Sequence, residues 1–328
     1  MVRSSTRFLV TFALVLAFAQ VFAQPAPKVY RVGWLGQGTP PASAKPGGGF
    51  GDEMRELGYV QGRNLAIEYR YANGSIDKLP ELAAELVRAK VDVIVASGEP
   101  AVLAAKRATS TTPIVMTETG VDPVKAGMVP SLARPGGNVT GLASNSEDQW
   151  RKRMGLLKEI APKIARVAVV WNPLNPGNRS CLDEVQAAAS MMGLRVHPLE
   201  VRDQASVNAA FSGAGKEPLD AVVICWDSAT LENAGEIASL ALKRRLPTIA
   251  VLREYVDAGA LLSLGVNLQA QRRRSAHYVD RILKGAKPAD IPVEQPNGYE
   301  LIPNLSTAKA LGLALPPSLL VAMDGYVP

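Results

Sequence analysis

Short β-branched apolar runs alternate along this chain with stretches whose apolar residues recur every three or four positions. The first run, Val29–Leu35, predicts a strand, and Phe50–Leu57 predicts a helix closed by Gly58. Leu65–Tyr71 reads as a second strand. Leu79–Ala89 places apolar side chains at 79, 82, 83, 86 and 87, the stripe of an amphipathic helix entered through Pro80. Val91–Ala96 is a short run of the kind buried on both faces of a sheet. Ser97 and Gly98 break it, Pro100 sits where a first helical turn tolerates proline, and an alanine-rich helix follows. Pro113–Thr117 predicts a fourth strand, and Asp122-Pro123 pairs an N-cap with a first-turn proline. A short strand at Asn138–Gly141 leaves this unit.

The same alternation then repeats. Ser146-Glu147-Asp148-Gln149 forms a capping box that opens a helix through Ile160. Strands are predicted at Arg166–Trp171, Arg195–Val201, Asp220–Trp226, Pro247–Leu252 and Gly259–Leu264. The intervening helices fall near Arg179–Met192, Ser206–Phe211 and Glu232–Arg245. Gln269–Leu283 is a long helix stopped by Gly285, Pro288–Pro303 runs extended, and Ser306–Leu311 and Ser318–Met323 are short helices. Strand–helix alternation implies an α/β fold with mostly parallel sheets covered on both faces. Two such units in tandem, without a long linker, imply two lobes facing a cleft.

Composition changes the picture mainly at the N-terminus. Arg3 and Arg7 precede the apolar run Phe8–Phe18, and Val21-Phe22-Ala23 offers small residues before Gln24. That reads as a secretory signal over residues 1–23, the apolar run being short of the roughly 20 residues a spanning helix needs. No cysteine stands near the cut, so export without a lipid anchor is expected. The whole chain carries 36 basic and 30 acidic side chains. Losing two arginines with the signal leaves a mild excess that does not point to nucleic acid, which wants a concentrated basic patch. Arg272-Arg273-Arg274 reads as the solvated face of a helix. Cys181 and Cys225 either pair, as an oxidising compartment permits, or stand as two buried thiols. With two scattered histidines they make no metal site, and no cofactor is expected.

Candidate chemistry gathers at predicted strand ends. Ser97-Gly98-Glu99 and Thr119-Gly120 are turns whose backbone N–H groups, beside a helix N-terminus, suit a carboxylate. Trp34, Trp171 and Trp226 each end a strand, and at least one of them is expected to stack on a ligand; packing at the sheet rim is the alternative for each. Asp227 is placed to receive an ammonium group or, alternatively, to cap a helix. A zwitterion bridging the lobes would favour their closure. Gly33–Gly38 has the spacing G-x-x-G-x-G, the reverse of a dinucleotide fingerprint, and neither a phosphate-binding G-x-x-x-x-G-K-[ST] loop nor a G-x-S-x-G nucleophile elbow occurs. His197 and His277 have no triad-like setting. No catalytic residue is expected, and the chain reads as a carrier, not an enzyme.

Several stretches carry a family likeness. They are Arg55–Asn64 (RELGYVQGRN), Leu82–Val87, Ser131–Gly141 (SLARPGGNVTG), Trp171-Asn172-Pro173, Ile282–Pro288 and Asn304–Gly312. With these the mature chain resembles, almost end to end, the exported substrate-binding proteins of ABC transporters, in the family that includes tryptophan- and tyrosine-binding members. The resemblance implies a type I periplasmic-binding-protein fold of two Rossmann-like lobes with three crossovers. Residues 29–142 with about 268–292 would form one lobe, and 143–267 with about 293–328 the other. It places ligand contacts on Gly36, Gln37, Ser97, Gly98, Glu99, Thr119, Gly120, Asn172 and Asp227, with Leu264 and Gly265 in the crossover region. Where the family usually reads Gly-Thr-Pro-Ala, this chain has Gly98-Glu99-Pro100-Ala101, an acid beside the proposed carboxylate socket. The family's usual tyrosine before the crossover glycine is Leu264 here. The resemblance further implies a periplasmic monomer that hands a small polar ligand, an amino acid or related carboxylate, to an ABC permease in the inner membrane. The rivals are a ligand-sensing module for a membrane sensor and a secreted α/β enzyme.

Overall fold

The computed structural model describes residues 28–40, 49–143, 147–213, 218–295 and 298–328. The leader over residues 1–23, Gly47-Gly48 and the capping serine Ser146 lie outside them. The apolar runs become two sheets. In the first, β1 (Tyr30–Gly36), β2 (Leu65–Tyr71), β3 (Val93–Ser97), β4 (Ile114–Thr119) and β5 (Val139–Ala143) lie parallel in the order β2-β1-β3-β4-β5. Between them run α1 (Gly49–Glu56), α2 (Leu79–Arg88) and α3 (Glu99–Ala108). Val93–Ser97 is buried throughout, as a central parallel strand between two helical layers requires. Gly36 pairs in register with Ser97, and Ser97 with Thr117, so β1 and β3 end level and β4 runs two residues further along the same edge.

The second sheet holds β6 (Arg166–Trp171), β7 (Arg195–Glu200), β8 (Ala221–Ile224), β9 (Thr248–Ala250), β10 (Leu262–Gly265) and β11 (Glu300–Pro303). Their order is β11-β10-β9-β8-β6-β7, parallel except for β11, which runs antiparallel to β10. Its helices are α4 (Glu147–Ile160), α5 (Pro176–Met191), α6 (Gln204–Gly213), α7 (Ser228–Glu232), α8 (Ala234–Lys243) and α9 (Arg253–Asp257). The long helix α10 (Leu268–Leu283) returns to the first sheet, where Ala276, Tyr278 and Val279 pack with Phe50, Met54 and Val95. The chain then comes back through β11, α11 (Leu305–Leu311) and α12 (Pro317–Ala322) to the second. Each sheet has an apolar core on both faces. Two parallel-dominated sheets joined by three crossings form the type I periplasmic-binding-protein architecture.

Several local expectations change. The helix expected over Glu232–Arg245 is α8, and a separate short helix, α7, precedes it, opened by an Asp227 capping box and ended at Asn233. Asp122 accepts N–H bonds from Val124 and Lys125, but the chain then runs through turns and forms no helix. The extended run at Pro288–Pro303 contains a 3-10 turn, Pro288–Asp290, and becomes a strand only at β11. The five-residue α9 had no clear periodic signal. Of the two readings for the cysteines, pairing is realised: Cys181 of α5 and Cys225 after β8 form a disulfide with Cα atoms 6.1 Å apart.

Candidate ligand-binding site

Between the two rows of strand ends lies a cavity of about 750 Å³, its mouth included. Gln37, Glu99, Glu118 and Gly120 form the first-lobe wall, and Trp226, Arg153 and Asn175 belong to the opposite wall. A second chamber shares Gln37, Glu118 and Trp226 and continues past Gly36, Ser97 and Trp34 towards Glu232, Glu254 and Arg272.

The turn after β3 builds the first-lobe wall. Gly98 has φ +87°, and a Cβ there would press on the Gln37 side chain, so glycine lets Gln37 fold over the turn. Glu99 follows as the first residue of α3, and burial pushes its carboxyl up to about 7. Glu118 at the end of β4 sits at φ +55°, a left-handed conformation uncommon for a non-glycine residue. Its carboxylate, 3% exposed, accepts from Arg272 Nε of α10 and from Ser97 Oγ. Sequence reading ended this strand at Thr117 and missed Glu118. An acid directly after a buried β-branched run was the available signal.

The second-lobe wall is held by amides. Asn172 and Asn175 each donate a side-chain N–H to the Asp227 carboxylate at 2.8 Å, and Asn178 donates to the Trp226 carbonyl at 2.7 Å. Asp227 also accepts from the Ala229 N–H at the start of α7. Fully buried and fully engaged, Asp227 caps a helix and does not line the cavity, so the ammonium role expected for it has no surface to act on. Asn172 likewise lies behind the wall. Arg153 of α4 stacks its guanidinium 4.5 Å from the Trp150 ring and donates from Nε to the Leu264 carbonyl at 2.7 Å. Desolvation lowers its pKa to about 10, which leaves it charged at neutral pH. Leu264 therefore acts through its backbone on Arg153, and Gly265 lies against the Val251 carbonyl, where a Cβ would clash.

The remaining expected residues divide in the same way. Ser97 and Gly36 line the outer chamber, and Gly120 lies opposite Trp226 with room for the indole. Thr119 is fully buried with its hydroxyl donating to the Leu142 carbonyl. Trp34 edges the outer chamber while packing on Phe50, and Trp226 lines both chambers. Trp171 turns into the second core, covered by Arg179 at 5.9 Å, and does not reach the cavity.

The two walls touch. Thr39 donates its N–H and hydroxyl to Glu232 of the second lobe, both at 3.1 Å. Glu99 lies so close over Gly177 of α5 that any side chain at 177 would overlap its Oε2. The lobes are closed on the cavity.

The chain matches the family described as ABC transporter substrate binding protein over residues 39–327. It is 29% identical over 274 residues to a tyrosine-binding protein of Clostridioides difficile (strain R20291), covering 83% of this chain and 78% of that protein. It is similar in structure to an ABC domain in complex with L-Trp from Streptococcus pneumonia, with a TM-score of 0.82 at 23% identity, over 92% of this chain and 100% of that one. A ligand-free, open substrate-binding protein with adhesive properties from Clostridium difficile is 27% identical but reaches a TM-score of only 0.64, over 91% of this chain and 99% of that one. The chain belongs to the ABC transporter substrate-binding protein family.

Proposed function

We propose that this protein captures a small amino-acid-like solute between its lobes and delivers it, as an exported periplasmic monomer, to an ABC permease in the inner membrane. One observation carries this reading: the closed interlobe cavity presents a carboxylate, Glu99, on one wall and a guanidinium, Arg153, on the other. A molecule carrying both charges would touch both lobes only when they are closed, so its binding energy favours closure. The polarity is the reverse of that expected from sequence, with the acidic wall on the first lobe. The tyrosine-binding relative supports an amino acid as ligand. The family is one of ABC transporter substrate-binding proteins, which supports binding without turnover.

The test is isothermal calorimetry of the mature protein against the twenty amino acids. At least one should bind with micromolar or tighter affinity and be recovered unchanged after incubation. Consumption of the ligand would favour a secreted enzyme. Binding of none of them would remove the amino-acid reading.

A further inference from the structure

Among the buried polar atoms of the described residues, a few have no hydrogen-bond partner, and four of these belong to cavity-lining side chains. They are Glu99 Oε2, Gln37 Oε1, Gln149 Oε1 and Trp226 Nε1. Three are acceptors and one is a donor. Glu99 and Gln37 are 8% and 4% exposed, and they lie side by side because the Gln37 side chain folds over Gly98, the residue before Glu99. A buried carboxylate oxygen without a partner is costly unless something supplies the missing donor. The other carboxylate of this wall, Glu118, is already met by Arg272 and Ser97. Glu99 is not met by any cation among the described residues.

The charge of the whole cleft points the same way. Four carboxylates line its two chambers, Glu99, Glu118, Glu232 and Glu254, against the guanidiniums of Arg153 and Arg272. The chain as a whole has a formal charge of +6. An acidic cleft in a basic protein concentrates cations. A primary ammonium carries three N–H donors in a compact head, which suits the neighbouring acceptors of Glu99 and Gln37.

The geometry points to Glu99 and Gln37 as an ammonium seat that makes a protonated primary amine, and not the carboxylate, the obligatory feature of the ligand. This rests on the solute-binding reading and narrows it. Compounds with the amine alone should still bind, and compounds with the carboxylate alone should not. Gly177 is part of the device, because only a residue without a side chain lets the second lobe close over the Glu99 carboxylate.

The experiment uses matched probes on two skeletons in calorimetry with the mature protein: L-tyrosine, tyramine and 3-(4-hydroxyphenyl)propanoate, and L-lysine, cadaverine and hexanoate. On the skeleton whose amino acid binds, the amine should keep measurable affinity and the acid should lose at least about 30-fold, the scale of one lost buried charge contact. Glu99→Gln should weaken the amino acid and the amine by a similar factor while keeping the circular-dichroism spectrum and a cooperative melt. An acid that binds as well as its amine, or an undiminished affinity in Glu99→Gln, overturns the ammonium seat and leaves solute binding standing. If no probe binds, the seat is overturned, and the calorimetric survey of all amino acids separately decides the solute-binding reading.

Discussion

Glu99 is where residue chemistry and ligand capture meet. Burial holds its carboxyl up at about 7, so near neutral pH the empty site is part protonated. A ligand ammonium needs the ionised form, so binding should release a proton as pH falls below 7. Affinity should drop about tenfold between pH 8 and pH 6, read by calorimetry in buffers of differing ionisation heat. The charged groups on the elements packed around Glu99 are Glu118 of β4, neutralised by Arg272 of α10, Arg153 of α4, and Glu184 of α5. Burial also raises the Glu184 carboxyl, so the slope should persist in Glu184→Gln if Glu99 is its source. The same residue acts on stability with a definite sign. A carboxyl whose folded pKa is raised favours folding below its unfolded pKa of about 4.3, and the advantage is lost as pH climbs to 7. Glu99→Gln should therefore stabilise the unliganded protein at pH 8 by on the order of 2 kcal/mol in urea titration while losing ligand.

At the scale of elements, two turns and one helix start hold the site, and a cross-link fixes part of it. Asn172, Asn175 and Asn178 tie the entrance of α5 to Asp227 and Trp226, and the Cys181–Cys225 disulfide bolts the same two segments one turn further on. The bridge closes a loop with a sequence separation of 44 residues, for which the chain-entropy account gives about 4 kcal/mol. Replacing both cysteines by alanine should lower the unfolding free energy from urea titration by an amount approaching that figure. Ligand affinity should also fall several-fold, because Trp226 and the α5 entrance line the cavity. A double variant that loses stability but binds unchanged would make the bridge a purely global staple. Sequence spacing left the pairing open, since 44 residues of separation say nothing of whether two Cα atoms come within bonding reach.

At the scale of the molecule, closure is a balance between the contacts that bridge the lobes and the freedom of three crossing segments. Thr39 with Glu232 is the clearest polar bridge outside the cavity. Glu232→Ala should shift the unliganded population towards open lobes, raising the radius of gyration in solution scattering and weakening ligand several-fold, while saturating ligand restores the compact value. An unchanged radius in the variant would mean that the Glu99–Gly177 wall alone sets closure. The tandem strand–helix pattern, the two lobes and the turns at Ser97–Glu99 could be read from the order of apolar runs, glycines and prolines, because strand periodicity and turn chemistry are local. Framework stretches such as Arg55–Asn64 carried the family for the same reason. What the residues at the strand ends do was decided only in three dimensions. Asp227, Asn172 and Trp171 looked available, yet neighbouring amides, a helix start and a core claim them. Glu118 and Arg153 were not among the candidates read from sequence, yet long-range packing aims them into the cleft. Burial and hydrogen-bond partners come from segments as far as 193 residues away, so the polarity of the site belongs to the tertiary structure and not to any local stretch of sequence.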